Sequence, residues 1–148
     1  MVSSIHITGR VRLSLWNDKG WLKVCRLAKN VVTEGAFALI AQHLGGGAAV
    51  LPTHIAVGSG GTFPDPTQLV LDTELERVAL VDSFIGRQVN YTATIGAGLS
   101  PPVSILEAGI FDDAVAGTMW ARFLTGQIDF EAGDSLDIEW ELTVGSIV

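Results

Sequence analysis

The chain has 148 residues, a formal net charge of −7, 48% hydrophobic residues and a single cysteine, Cys25. That length suits one domain, residues 1–148, able to bury a core without cross-links, and one cysteine excludes an internal disulfide framework. The acidic balance argues against a nucleic-acid partner, no run approaches the roughly 18 apolar residues of a membrane span, and the N-terminus lacks a signal-peptide core, so synthesis and retention in a cytosol are expected until assembly.

Ile5, Ile7, Val11, Leu13 and Leu15 alternate with His6, Thr8, Arg10, Arg12 and Ser14, the pattern of a strand with one buried and one wet face. Asn17–Gly20 reads as a turn, and Trp21–Lys29 returns as a second, less regular strand. The hairpin at about 5–29 is a candidate arm. Trp16 and Trp21 flank its turn and either pair across it or form a contact anchor. Cys25 reads as a small strand residue rather than a nucleophile.

Thr33 is a suitable N-cap, and Glu34 stands where the helix dipole favours an anion. Phe37, Ile40, Ala41 and Leu44 share one face by three-and-four spacing, and Gly45, Gly46 and Gly47 stop the helix. A helix over about 34–44 is too short to stand alone and is expected to lie on a sheet through that stripe; a partner-binding stripe is the alternative.

His54–Val57 reads as a short strand buried on both faces, Gly58–Thr67 as a loop, and Leu69–Leu75 as a short helical turn or arm. Val78–Phe84 and Gln88–Ile95 form a second hairpin about Ile85-Gly86-Arg87. Val103–Phe111 is a strand with a bulge near Glu107-Ala108-Gly109, Met119–Leu124 another, and Leu136–Val144 the most regular alternation. The fold expected is mainly β: an antiparallel sandwich or partly open barrel of about eight strands with one inserted helix.

Motifs for chemistry are weak. Gly133-Asp134-Ser135-Leu136 spells a hydrolase string, but no histidine follows it, and it reads as a turn into the last strand. His6, His43 and His54 lack metal-ligand spacing, and the glycine runs lack the Gly-Lys-Ser/Thr of a phosphate loop. No catalytic, cofactor or metal residue is therefore assigned. Six acids fall between Asp129 and Glu141; they read as a charged outer face, then as a charge-matched subunit contact, then as a calcium site.

Charge is unevenly spread. Residues 1–29 hold six cations and one anion, and the remainder three cations and fifteen anions, so the two parts carry +5 and −12. Such asymmetry suits complementary contact within or between chains. The expected interface residues are Arg10, Arg12, Trp16 and Trp21 on the hairpin and Asp137, Glu139 and Glu141 on the last strand.

Four pieces in order carry a resemblance: Asn30-Val31-Val32-Thr33-Glu34-Gly35 into the helix; Thr53–Gly60 (THIAVGSG); Leu71–Arg77 (LDTELER); and Glu107–Asp112 (EAGIFD) followed by Thr118–Arg122 (TMWAR) and an acidic alternating strand. Over roughly Gly9–Gly145 the chain resembles small structural proteins of tailed bacteriophage particles, tail-fibre-like or decoration-like. Thr-Glu-Gly stands where that family has Asn-Ala-Gly or Asp-Ala-Gly. The resemblance implies a virion protein without an active site, made in the host bacterial cytoplasm and partnered by its own copies and by capsid or tail proteins. It favours a capsid decoration (cement) protein, then a small tail, neck, baseplate or fibre-associated piece, and more remotely a host-binding module.

Overall fold

The computed structural model describes residues 5–146. Alternating apolar residues make ten strands and one helix in the order β1 (Ile5–Trp16), β2 (Leu22–Lys29), β3 (Val31–Val32), α1 (Glu34–Leu44), β4 (His54–Gly58), β5 (Glu74–Ala79), β6 (Val81–Ile85), β7 (Gln88–Ile95), β8 (Val103–Phe111), β9 (Met119–Phe130) and β10 (Ser135–Ser146). They form two antiparallel five-stranded sheets, β2-β1-β10-β7-β6 and β3-β9-β8-β4-β5. The architecture is a β-sandwich, and the sheets do not close into a barrel.

The inward faces follow the period of two. Val11, Leu13, Leu15, Ile138 and Trp140 from the first sheet meet Ile55, Ile105, Ile110, Phe123 and Ile128 from the second. Phe123 and Trp140 cross the layer edge to face, with centroids 4.9 Å apart at 85°, a geometry favoured by the ring quadrupoles. The second sheet is also covered outside, where Leu71 in the connection before β5 packs on Ala56, Phe111 and Met119. This explains why β4 is buried on both faces.

The expected strands differ from the observed ones where the chain changes direction. The predicted strand over 78–84 is divided at Leu80, whose N–H donates to the Thr53 carbonyl as the chain crosses between sheets. Leu69–Leu75 is an extended connection entering β5, not a helical turn. β9 runs on to Phe130, past the predicted end at Leu124, because Gly126 takes φ +65° and lets the strand continue through an irregularity. The bulge expected at Glu107-Ala108-Gly109 is not there: these residues pair regularly, and the register shifts lie between Ile105 and Glu107 and between Ile110 and Phe111, with the extra residues on β9. The N-terminal hairpin is built into the first sheet rather than projecting as an arm: β1 lies between β2 and β10 and pairs with β10 along its whole length.

The helix is capped as expected, the Thr33 hydroxyl accepting from the Ala36 N–H at 3.1 Å. Its predicted stripe holds only at Ile40, which packs half-buried on the core; Phe37 is 43% exposed, Leu44 75% exposed and Ala41 exposed, whereas Ala36 is fully buried and Leu39 half-buried. The Thr33 hydroxyl also donates to the Met119 carbonyl, and the Thr33 N–H donates to Trp120. The first turn is thereby pinned against β9, Leu39 and Ile40 pack on the core, and the end of the helix from Ala41 to Leu44 is exposed. Among the described residues, no helix is long and apolar enough to cross a membrane.

Candidate interaction surface

The β1–β10 register sets Arg10 opposite Glu141, Arg12 opposite Glu139 and Ser14 opposite Asp137. On the other side of β1, Lys29 lies opposite Arg10 and Leu27 opposite Arg12. The outer face of the first sheet therefore carries cations on β2 and β1 and anions on β10, flanked by Asn90 and Thr92 of β7. It is indented by a hollow of about 460 Å³ bounded by Arg10, Arg12, Leu27, Lys29, Glu139 and Glu141.

Five of the seven expected interface residues thus share one face, but they already have partners within the chain. Arg10 Nη2 lies 2.9 Å from Glu141 Oε1, Arg12 Nη1 lies 3.6 Å from Glu139 Oε2, and Asp137 accepts from the Thr94 hydroxyl at 2.8 Å. Of the two contacts the charge split allows, the structure shows the one within the chain: antiparallel pairing of the first and last strands joins the basic and acidic stripes inside one sheet. Both ion pairs are exposed, so each contributes about 0–1 kcal/mol.

The tryptophans sit at one end of this sheet and do not pair with each other. Trp16 is opposite Leu22 across a bulge and is half-buried, and Trp21 is 72% exposed. The Asn17 side chain accepts from the N–H groups of Lys19 and Trp21, at 3.0 and 2.9 Å, which fixes the turn while leaving the Trp21 ring uncovered. Below it, Lys23 Nζ donates to Asp134 at 2.7 Å and Glu131 at 2.9 Å. The hydrogen bonds to Asp134 and Glu131 raise the Lys23 pKa. Burial pushes Asp134 upward, but the Lys23 ammonium and the Glu131 N–H outweigh it and hold the carboxyl below its usual range.

The remaining acids between Asp129 and Glu141 are also engaged or dispersed. Asp129 accepts from Gln127 and Ser104, both at 2.9 Å, and these bonds lower its pKa. Among the described residues, no group of three His, Cys, Asp or Glu side chains is placed to hold a metal ion. Gly133 and Asp134 lead out of the turn into β10, and Ser135 opens that strand opposite Trp16.

Sequence reasoning missed an ion-pair cluster on the outer side of the second sheet. Glu107 is fully buried and Arg122 is 1% exposed. The Glu107 carboxylate accepts from Arg122 Nη2 at 2.8 Å and Nε at 3.1 Å, and from the backbone N–H groups of Thr73, Gly60 and Asp72 at 2.8, 3.0 and 3.0 Å. Arg122 also donates to the Thr62 carbonyl at 2.6 Å and to Asp72 at 3.3 Å. Hydrogen bonds from Thr62, assisted by the Arg122 charge, hold the Asp72 carboxyl below its usual range. Gly58 and Gly60 are required here, since a Cβ on either would collide with Glu107 or Asp72. The readable signal was a single charge inside each of two apolar runs, Ile105–Phe111 and Met119–Leu124: such charges are buried only when paired.

The other motif residues are structural in the same way. Asp112 accepts from the Thr118 N–H at 2.7 Å and Trp120 Nε1 at 3.3 Å. Arg77 stacks 3.7 Å above the Phe111 ring and donates to the Asp113 and Ala116 carbonyls at 3.0 and 2.7 Å. Glu76 reaches across to the other sheet and accepts from the Gly96 and Gly98 N–H groups at 2.8 and 2.6 Å. Comparison of the chain with family models, curated proteins and solved structures finds no match.

Proposed function

We propose that this chain is a non-catalytic structural protein of a tailed-phage particle, and that it serves as a capsid decoration protein present in many copies. One observation carries the reading: six charged residues of the motifs behind the resemblance — Asp72, Glu76, Arg77, Glu107, Asp112 and Arg122 — hold loops onto the sandwich. A pattern that preserves a rigid scaffold and its loops, rather than a reacting centre, suits a protein whose task is to bind neighbours. The ordered charge on the outer face of the first sheet supports the same reading, because charge patterns orient encounters and raise on-rates more than they add affinity.

The test adds purified protein to heads assembled without it. The reading expects saturable binding to the shell and greater resistance of the filled heads to heat-induced DNA release. Binding to isolated tails with none to heads would move the protein to the tail; binding to neither would overturn the proposal.

A further inference from the structure

The two sheets have four edges, and three carry devices that block strand addition. β3 is only two residues long, β2 carries Lys23, Arg26 and the exposed Lys29, and β5 carries the exposed Glu74 together with Glu76 and Arg77, which hold the neighbouring loops at 96–98 and 113–116. Short edges and charged edges are the usual protections. β6 differs. All five of its residues are exposed, and Val81, Phe84 and Ile85 are 70%, 81% and 74% exposed.

Its ladder geometry fixes what it offers. The Arg87 carbonyl accepts from the Val144 N–H at 2.9 Å, so in β7 the backbone groups of odd-numbered residues turn to β10 and those of even-numbered residues turn to β6. Asn90 therefore shares its bonds with Ser83, its partner in register. The two-residue turn Gly86-Arg87, with Gly86 at φ +57°, closes the hairpin in the same phase. It follows that the N–H and C=O groups of Asp82 and Phe84 point away from the sheet.

We infer that β6 is a homodimer interface, pairing antiparallel with β6 of a second copy about a twofold axis through Ser83. Asp82 and Phe84 exchange backbone hydrogen bonds with Phe84 and Asp82 of the other copy, and Ser83 faces its counterpart in a non-hydrogen-bonded pair. Val81 meets Ile85 of the other copy on the outer face, twice by symmetry. Such apolar cross-strand pairs stabilise sheets, and a closed twofold contact is the commonest oligomeric solution. The register sets no like charges opposite each other. The β2 edge against itself would set Lys23 opposite Lys29 and Arg26 opposite Arg26. β6 against β2 of another copy would need either a parallel ladder or a copy turned over so that its buried face continues the outer face, since the two strands run the same way in the sheet. The result is one continuous ten-stranded sheet across the dimer. The inference does not depend on the virion reading, and its test uses the isolated protein.

The experiment combines sedimentation velocity with cross-linking. Wild type should sediment between monomer and dimer, moving to dimer as concentration rises. Val81→Lys with Ile85→Lys should stay monomeric at every concentration with an unchanged circular dichroism spectrum. Phe84→Pro should do the same, because it removes an outward N–H that takes no part in the β7 ladder. In a Cys25→Ser background, Ser83→Cys should oxidise to a covalent dimer, and Leu27→Cys on β2 should not. A wild type that remains monomeric up to its solubility limit overturns the inference. So do an oligomer that survives both β6 variants, and cross-linking no faster at position 83 than at position 27.

Discussion

Replacing Glu107 by Ala tests the buried cluster that holds the 58–73 connection on the second sheet. The change removes one carboxylate and leaves five donors facing the space, two on Arg122 and three on the backbone. Arg122, 1% exposed, would keep Thr62, Gln68 and Asp72 as partners. Breaking a buried pair by removing one member costs about 3–5 kcal/mol, and each dry unpaired N–H adds about 1–3 kcal/mol. The connection is partly exposed, so water satisfies its backbone N–H groups once it lifts, and the broken pair alone sets the cost: about 4 kcal/mol. At about 3 °C per kcal/mol for a domain of this size, Tm falls by about 12 °C, a large part of a total stability of about 5–15 kcal/mol. Urea unfolding followed by tryptophan fluorescence measures it. Glu107→Leu combined with Arg122→Met should be less destabilised than the sum of the single changes by about 2 kcal/mol or more, as for residues sharing one network. A Glu107→Ala protein within about 1 kcal/mol of wild type would refute the reasoning.

Three further outcomes follow from the same structure. Phe37→Ala should cost under about 1 kcal/mol in urea unfolding, since the ring is largely exposed, whereas Ala36→Leu should cost about 1–3 kcal/mol by overpacking a fully buried site; the reverse order would mean that the helix covers the sheet through its other face. Asp72 and Asp134 have lowered pKa values, so the stability they contribute is complete above about pH 4 and lost as pH falls through their folded values; Asp72→Asn with Asp134→Asn should flatten the acid limb of the urea midpoint, and an unchanged limb would contradict the assignment. Tyr91, the chain's single tyrosine, is pushed up to about 12 by burial and then by the Asp82 charge; phenolate absorbance should stay low through pH 10–11 while the fold persists, its stability declining from about pH 10 as the unfolded chain ionises first, and titration near 10 in folded protein would contradict the burial.

What was legible in the sequence was periodic. The alternations of β1, β7 and β10, the glycine at the β6–β7 turn and the Thr33 cap are local signals, and each stands where expected. What was not legible depended on partners far along the chain. Phe37 and Ala36 differ by one position on the helix, and only the anchoring of Thr33 to β9 decides which one is buried. The break at Leu80 leaves the apolar pattern intact, so the end of β5 and most of β6 read as one strand over 78–84. Charge gave the right residues but not where they meet: Arg10 and Arg12 face acids of the adjacent strand of the same chain, one of the two contacts the charge split allowed. Glu107 and Arg122 stood in plain view as motif residues, and their pairing needs the register of β8 and β9, which no local pattern supplies.

The most direct test of the virion assignment is the amount of this protein in purified particles, measured by quantitative mass spectrometry against the major shell protein. The decoration reading predicts a fixed proportion to the shell subunits that is retained in separated heads. Its absence from intact particles would contradict the account, and a small number of copies that follows the tail fraction would contradict its placement on the head.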